Sequence, residues 1–168
     1  IYYASKRCSY DKNFNYPSEI SDYTINFEHC VGNYTLNVMN IYSAYYLRKL
    51  GLSSITLSVE LSKDELKEFI SLFREKFGGM NFEIIVYGKV ENMIIKGNIL
   101  QLEENENYYS LIDSKEREFP VYYDGIDTHI LNYDNIDYFD FSFPSYHKRF
   151  DFYQESSDEI IRIVKQYD

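Results

Sequence analysis

Asn40, Glu60 and Lys89 are the residues from which a site is most readily built, because each stands just after a short apolar run. The runs are Leu36-Asn37-Val38-Met39-Asn40, Ile55-Thr56-Leu57-Ser58-Val59-Glu60 and Phe82-Glu83-Ile84-Ile85-Val86-Tyr87-Gly88. In parallel α/β architectures chemistry collects where strands end and the following helices begin, so these runs, read as strands, bring Asn40, Glu60 and the Gly88-Lys89 turn to one rim. There Glu60 could serve as a general base or a hydrogen-bond acceptor. Its plainer reading is a cap, or the partner of a cation such as Lys89. The amides of Asn37 and Asn40 could hold a carboxylate or phosphate, while Asn40 is equally well placed to cap a helix. Lys89 follows a glycine that permits close backbone approach, and could bind an anion or simply stand in solvent. His129 and His147 are further imidazoles within reach of chemistry.

The elements that must position these residues carry their own punctuation. Ser62-Lys63-Asp64-Glu65 is a capping box, in which serine and glutamate satisfy each other's orphan backbone donors, so a helix starts there. Leu66, Phe69, Ile70, Phe73 and Phe77 recur at spacings of three and four, which makes one apolar stripe, and Gly78-Gly79 supplies a left-handed stop. The earlier helix has Asn40 as its cap, Ile41, Ala44, Tyr45 and Leu47 or Leu50 facing inward, and Gly51 at its end. Short connections between helix and strand give two successive βαβ units and a parallel sheet.

With 168 residues, 45% of them hydrophobic, the chain has enough apolar material for one domain with a core. No run reaches the roughly 18 apolar residues needed to cross a bilayer, and no signal-peptide pattern opens the chain, so the expectation is a soluble, cytoplasmic protein without membrane contact. The first residue is Ile1, which suggests a fragment of a longer chain. A net charge of −10 from 17 basic and 27 acidic residues would repel a phosphate backbone unless the cations clustered. They are scattered over Arg48, Lys49, Lys63, Lys67, Arg74 and Lys76, on the outer faces of the predicted helices. Nonspecific nucleic-acid binding by this segment alone is therefore not expected. Cys8 and Cys30 are expected as reduced thiols, since disulfides persist in oxidising compartments. Glu28-His29-Cys30 offers three ligand types, yet neighbours in an extended chain point to opposite faces and no second cluster completes a coordination sphere.

Residues 7–33 lack a sustained period and read as a loop with a short strand around Tyr23 to Phe27. Beyond Gly88, Met93-Ile94-Ile95 reads as a strand and Glu103 to Glu106 as an exposed loop. Tyr108 to Ile112 and Phe119 to Tyr123 flank Asp113-Ser114-Lys115-Glu116 as an antiparallel hairpin, with Pro120 placing its strand at an edge. Asp127 to Leu131, Tyr138 to Phe143 and Arg149 to Tyr153 are further predicted strands. A second capping box, Ser156-Ser157-Asp158-Glu159, opens a terminal helix that carries Ile160, Ile161, Ile163, Val164 and Tyr167. No serine or cysteine stands in a nucleophile elbow, and no His-Glu-x-x-His occurs, so the residues themselves do not point to a known peptidase mechanism.

The runs Leu36 to Asn40, Leu57-Ser58-Val59-Glu60-Leu61-Ser62, Glu83 to Lys89 with Met93, Leu111-Ile112-Asp113 with Phe119-Pro120-Val121, His129-Ile130-Leu131-Asn132, and Arg149-Phe150-Asp151 occur in the order and spacing of a known family. Over about residues 35–155 the chain resembles the collagenase-like peptidases, peptidase family U thirty-two. The resemblance is to the later half of a TIM-barrel-like domain, a fold that takes roughly 250 residues when complete. It implies Glu60 and His129 as catalytic candidates, and Asn37, Asn40, Lys89, Arg149 and Asp151 as substrate-binding candidates. Although named as peptidases, better understood members resemble oxygen-independent hydroxylation factors that act on RNA uridines or a quinone precursor, and many hold an iron–sulfur cluster. Here the family's cluster cysteine falls on Asn98, and no cysteine follows Val31. Ligation needs about four thiolates, so the segment is expected to hold no cofactor unless cysteines exist elsewhere in a parent protein. Three functions follow as expectations. One is a cluster-less family portion of degenerate or unknown activity. A second is a prephenate-dependent RNA-uridine hydroxylation module whose cluster cysteines lie outside this segment, and a third is a noncatalytic protein-interaction domain. A protein or RNA substrate would be met through the full-length protein.

Overall fold

Ser62 and Asn40 both begin helices for the reason their side chains suggest. In the computed structural model, which describes residues 2–3, 30–102, 109–143 and 146–167, helix α1 spans Ile41–Lys49 and α2 spans Lys63–Phe77. The Asn40 Oδ1 accepts hydrogen bonds from the backbone N–H of Tyr42 and Ser43 at 3.1 and 3.0 Å. Ser62 and Glu65 form the reciprocal capping box, and Gly51 and Gly78 close the two helices at φ 104° and 80°, angles that L side chains rarely adopt.

The chain gathers into two compact units. The first comprises Ile1–Ile85 and Phe141–Arg149, the second Val86–Asp140 and Phe150–Asp168. In the first unit strands β1 (Tyr2–Tyr3), β2 (Cys30–Gly32), β3 (Ser54–Thr56) and the beginning of β4 (Asn81–Gly88) pair in parallel, in that order. Phe82 of β4 packs edge-on against Phe69 and Phe73 of α2, with centroids 5.5 and 5.0 Å apart. Phe73 is fully buried, and Leu66, Ile70, Ile55, Leu57 and Ile84 complete a core in which helix stripe and sheet face meet.

The first predicted strand is misplaced. Residues Leu36 to Asn40 do not form a strand; Tyr34–Leu36 is a short 3-10 helix capped by Asn33, and Asn37 has left-handed φ and ψ of 49° and 51°. Asparagine tolerates that conformation, and its presence there breaks the run. The strand is instead Cys30–Gly32, while Val38 is buried within the following loop. The second run is likewise strand only to Thr56, after which Ser58 to Ser62 turn into α2.

The second unit holds a separate antiparallel sheet, in the order β5 (Glu91–Lys96), β8 (Asp127–Leu131), β7 (Glu118–Tyr123), β6 (Tyr109–Ile112). The predicted β6–β7 hairpin is present as part of this larger sheet. Asp113 closes its turn by accepting from the backbone N–H of Lys115 and Arg117. Pro120 does not mark an edge strand, because β7 lies between β8 and β6. The ladder to β8 begins only at Val121, so the missing N–H at Pro120 costs no bond on that side. Tyr138 to Phe143 is not a strand; a two-residue strand, β9 (Ile136–Asp137), precedes it and pairs antiparallel with the end of β4. Strand β10 (His147–Asp151) is next to β4 in the parallel sheet's order. The final helix α3 (Ser157–Gln166) opens on the expected Ser156/Glu159 box. Its Ile163 is buried and Ile161 exposed, which narrows the predicted apolar face. The expected strand at Tyr23 to Phe27, the Glu28-His29-Cys30 cluster (except Cys30), Cys8 and the Glu103 to Glu106 loop lie outside the described residues.

Candidate functional site

Side chains alternate across a strand, so with Phe82 turned toward α2, its neighbour Glu83 lies on the opposite sheet face. Thr56 is paired with Glu83 across β3 and β4, and its hydroxyl donates to Glu83 Oε2 at 2.9 Å. Arg149, on β10, donates through Nη1 to Asn33 Oδ1 at 2.6 Å and to Thr56 Oγ1 at 3.4 Å. The guanidinium also stands 5.6 Å from the Tyr34 ring centroid, a cation–π distance. Asn33, Thr56, Glu83 and Arg149 thus form one polar network on the sheet. Thr56 is 0% exposed, so its hydroxyl is closed to any substrate, whereas Glu83, Asn33 and Arg149 remain partly accessible.

At the strand ends of the same unit a second chain of bonds joins two loops. Ser58 Oγ donates to Asn37 Oδ1 at 2.5 Å and accepts from the Glu60 backbone N–H at 3.2 Å, while the Ser58 N–H donates to the Val38 carbonyl. Asn37 and Glu60 are therefore linked through Ser58, with Glu60 exposed. Asn40 stands at the head of α1 with its amide oxygen committed to the cap.

Of the remaining sequence candidates, Lys89, His129 and Asp151 belong to the second unit. Lys89 Nζ donates to the carbonyls of Asn132 and Tyr133 at 3.3 and 2.6 Å, which ties down a turn. The close approach expected at Gly88 is real but is made by the chain itself. A Cβ at Gly88 would stand 2.0 Å from the Asp151 carbonyl oxygen, and φ is +132°. His129 is 8% exposed and clamped: Nδ1 is 2.6 Å from Glu91 Oε1, Nε2 is 3.0 Å from Asp124 Oδ2, and the ring stacks on Tyr122 at 4.7 Å. The clamp joins β5, β8 and the β7–β8 turn.

Asn98 closes a small loop. Its Nδ2 donates to the Leu102 carbonyl and its Oδ1 accepts from the Leu102 N–H, both at 2.7 Å. In the same unit Tyr167 donates to the Val86 carbonyl and to Asp137 at 3.0 and 2.6 Å. Burial, and then the bond to Asp137, hold its phenol far above the ordinary range. Among the described residues no group of three or more His, Cys, Asp or Glu side chains is arranged to hold a metal ion.

Sequence reasoning chose Arg149 and Asn37 but missed Asn33, Thr56, Glu83 and Ser58. Glu83 carried the one usable signal: a charged residue inside an otherwise apolar run has to face somewhere polar. No protein-family model, curated protein or solved structure matches the chain. No helix among the described residues is long and apolar enough to cross a membrane.

Proposed function

We propose that this chain is the later part of a TIM-like barrel domain of the collagenase-like peptidase family, one that lacks the family's cluster and recognises its substrate without a hydrolytic step of its own. The observation that carries this reading is the Asn33–Thr56–Glu83–Arg149 network on the face of the parallel sheet opposite α2. In a barrel that face is the interior, and a partly accessible arginine with neighbouring amide and carboxylate groups suits recognition of a polar substrate better than core packing. Two further features support it. Asn98 uses both ends of its amide to close its own loop, which leaves that position occupied structurally. The hydroxyls at the strand ends donate to a carboxylate and an amide, with no imidazole against either of them among the described residues.

The test is proteolysis of unfolded collagen by the purified full-length protein, read by gel and by mass spectrometry of released peptides. The expected result is no cleavage above a buffer control. Cleavage that disappears in Glu60→Ala would overturn the proposal and restore Glu60 as a catalytic base.

A further inference from the structure

The first unit carries a second polar region, at the opposite ends of the parallel strands from Asn37, Ser58 and Glu60. A cavity of about 530 Å³ opens there, lined by residues that include Arg48, Arg74, His147, Tyr146, Leu52 and Asn81. Its volume lies within the range of small-molecule sites, about 300–1,000 Å³. The composition of its wall is selective: among the described residues it includes two arginines and a histidine and no carboxylate.

Their local roles differ. Arg48 donates through Nη1 and Nη2 to the carbonyls of Gly79 and Phe77, at 3.2 and 2.9 Å, and so closes the C-terminal end of α2. A guanidinium has five N–H donors, so this capping leaves others directed elsewhere. It also fixes the arginine in place, over the Phe73 and Tyr45 rings at 5.3 Å from each centroid. Arg74, in the last turn of α2, and His147, at the start of β10, are exposed. Tyr146 is held by its hydroxyl, which donates to the Phe141 carbonyl at 2.9 Å. Leu52 and the Tyr146 ring give the cavity an apolar side.

We infer that this cavity is a binding site for a small phosphomonoester, with Arg74, His147 and the spare donors of Arg48 on the phosphate and the Tyr146–Leu52 wall against the organic body. Arginine forks match phosphate oxygens in geometry as well as charge, and a dianion is what two arginines with no carboxylate beside them among the described lining residues select. The site is separate from the Arg149 network, and the inference stands whether or not that network binds substrate.

Isothermal titration of the full chain with adenosine 5′-monophosphate, with adenosine as the uncharged comparison, tests it. Saturable binding of the monophosphate and none of adenosine is expected. Arg74→Gln and His147→Gln, both at exposed positions, should each weaken binding by about tenfold while the far-UV circular dichroism stays unchanged. Absence of saturable heat with the monophosphate, equal binding of adenosine, or affinities unaltered in both variants would overturn it.

Discussion

The two units solve the same problem, how to hold polar side chains within a fold, in opposite ways. In the second unit His129 has a carboxylate at each ring nitrogen and an aromatic ring on its face, and the residue is buried. In the first, Arg149 joins Asn33 and Thr56 on a sheet face where three of the four network members stay partly accessible. A buried, mutually bonded group contributes to stability and offers nothing to a ligand, whereas an accessible one can exchange partners. That difference, more than residue type, is why the imidazole reads as structure and the guanidinium as recognition.

The comparison can be broken or sharpened by substitution. The largest effect is expected in the core of the first unit, where Phe73→Ala removes a fully buried ring packed against Phe69, Phe77 and Phe82. It should cost about 3–5 kcal/mol in denaturant unfolding. Hydrogen exchange should show the loss of protection first at Ser54–Thr56 and in α2. Next, His129→Ala should cost about 2–3 kcal/mol, since it deletes a buried ring that stacks on Tyr122 and bridges the Glu91 and Asp124 carboxylates. A cost below about 0.5 kcal/mol, the range of ordinary surface changes, would contradict the clamp. Ser62→Ala should cost about 1 kcal/mol through loss of the α2 cap. Glu60→Ala should fall within about 0.5 kcal/mol of the parent, as expected for an exposed side chain.

The smallest effect is a pH dependence at the same helix cap. The Ser62 hydroxyl, and then its backbone N–H, lower the Glu65 carboxyl below its ordinary 4.5, and the Ser156 N–H and hydroxyl do the same for Glu159. A carboxyl lowered in the folded state adds stability that is complete above its unfolded value. That contribution is lost as the pH falls through the folded value. Unfolding midpoints measured below pH 4.5 should therefore fall less steeply in Glu65→Gln than in the parent. Equal slopes would show that the box contributes nothing through charge.

What could be read from the residues divides along the same lines as the molecule. Both capping boxes, the Asn40 cap, the glycine stops and the Asp113 turn are local, a few residues wide, and each stands where its chemistry requires. The β4 run and the β6–β7 hairpin were equally legible, being long or bounded by turn residues. The first strand was not, because Leu36 to Asn40 has strand-like composition while Asn37 adopts a left-handed backbone that only coordinates reveal. The sites were the least legible. Arg149 meets Asn33 and Thr56 across separations of 116 and 93 residues, and His129 meets Glu91 across 38, distances at which no periodicity carries information. Lys89 and Gly88 were singled out for openness to a ligand, yet turn carbonyls and the Asp151 backbone already occupy them.

The claim that most needs a direct test is the loss of the cluster. Iron and acid-labile sulfide, measured together on full-length protein purified without oxygen, settle it. Neither should be present above trace amounts relative to protein, with no charge-transfer absorption in the visible range. Stoichiometric iron and sulfide would contradict the account.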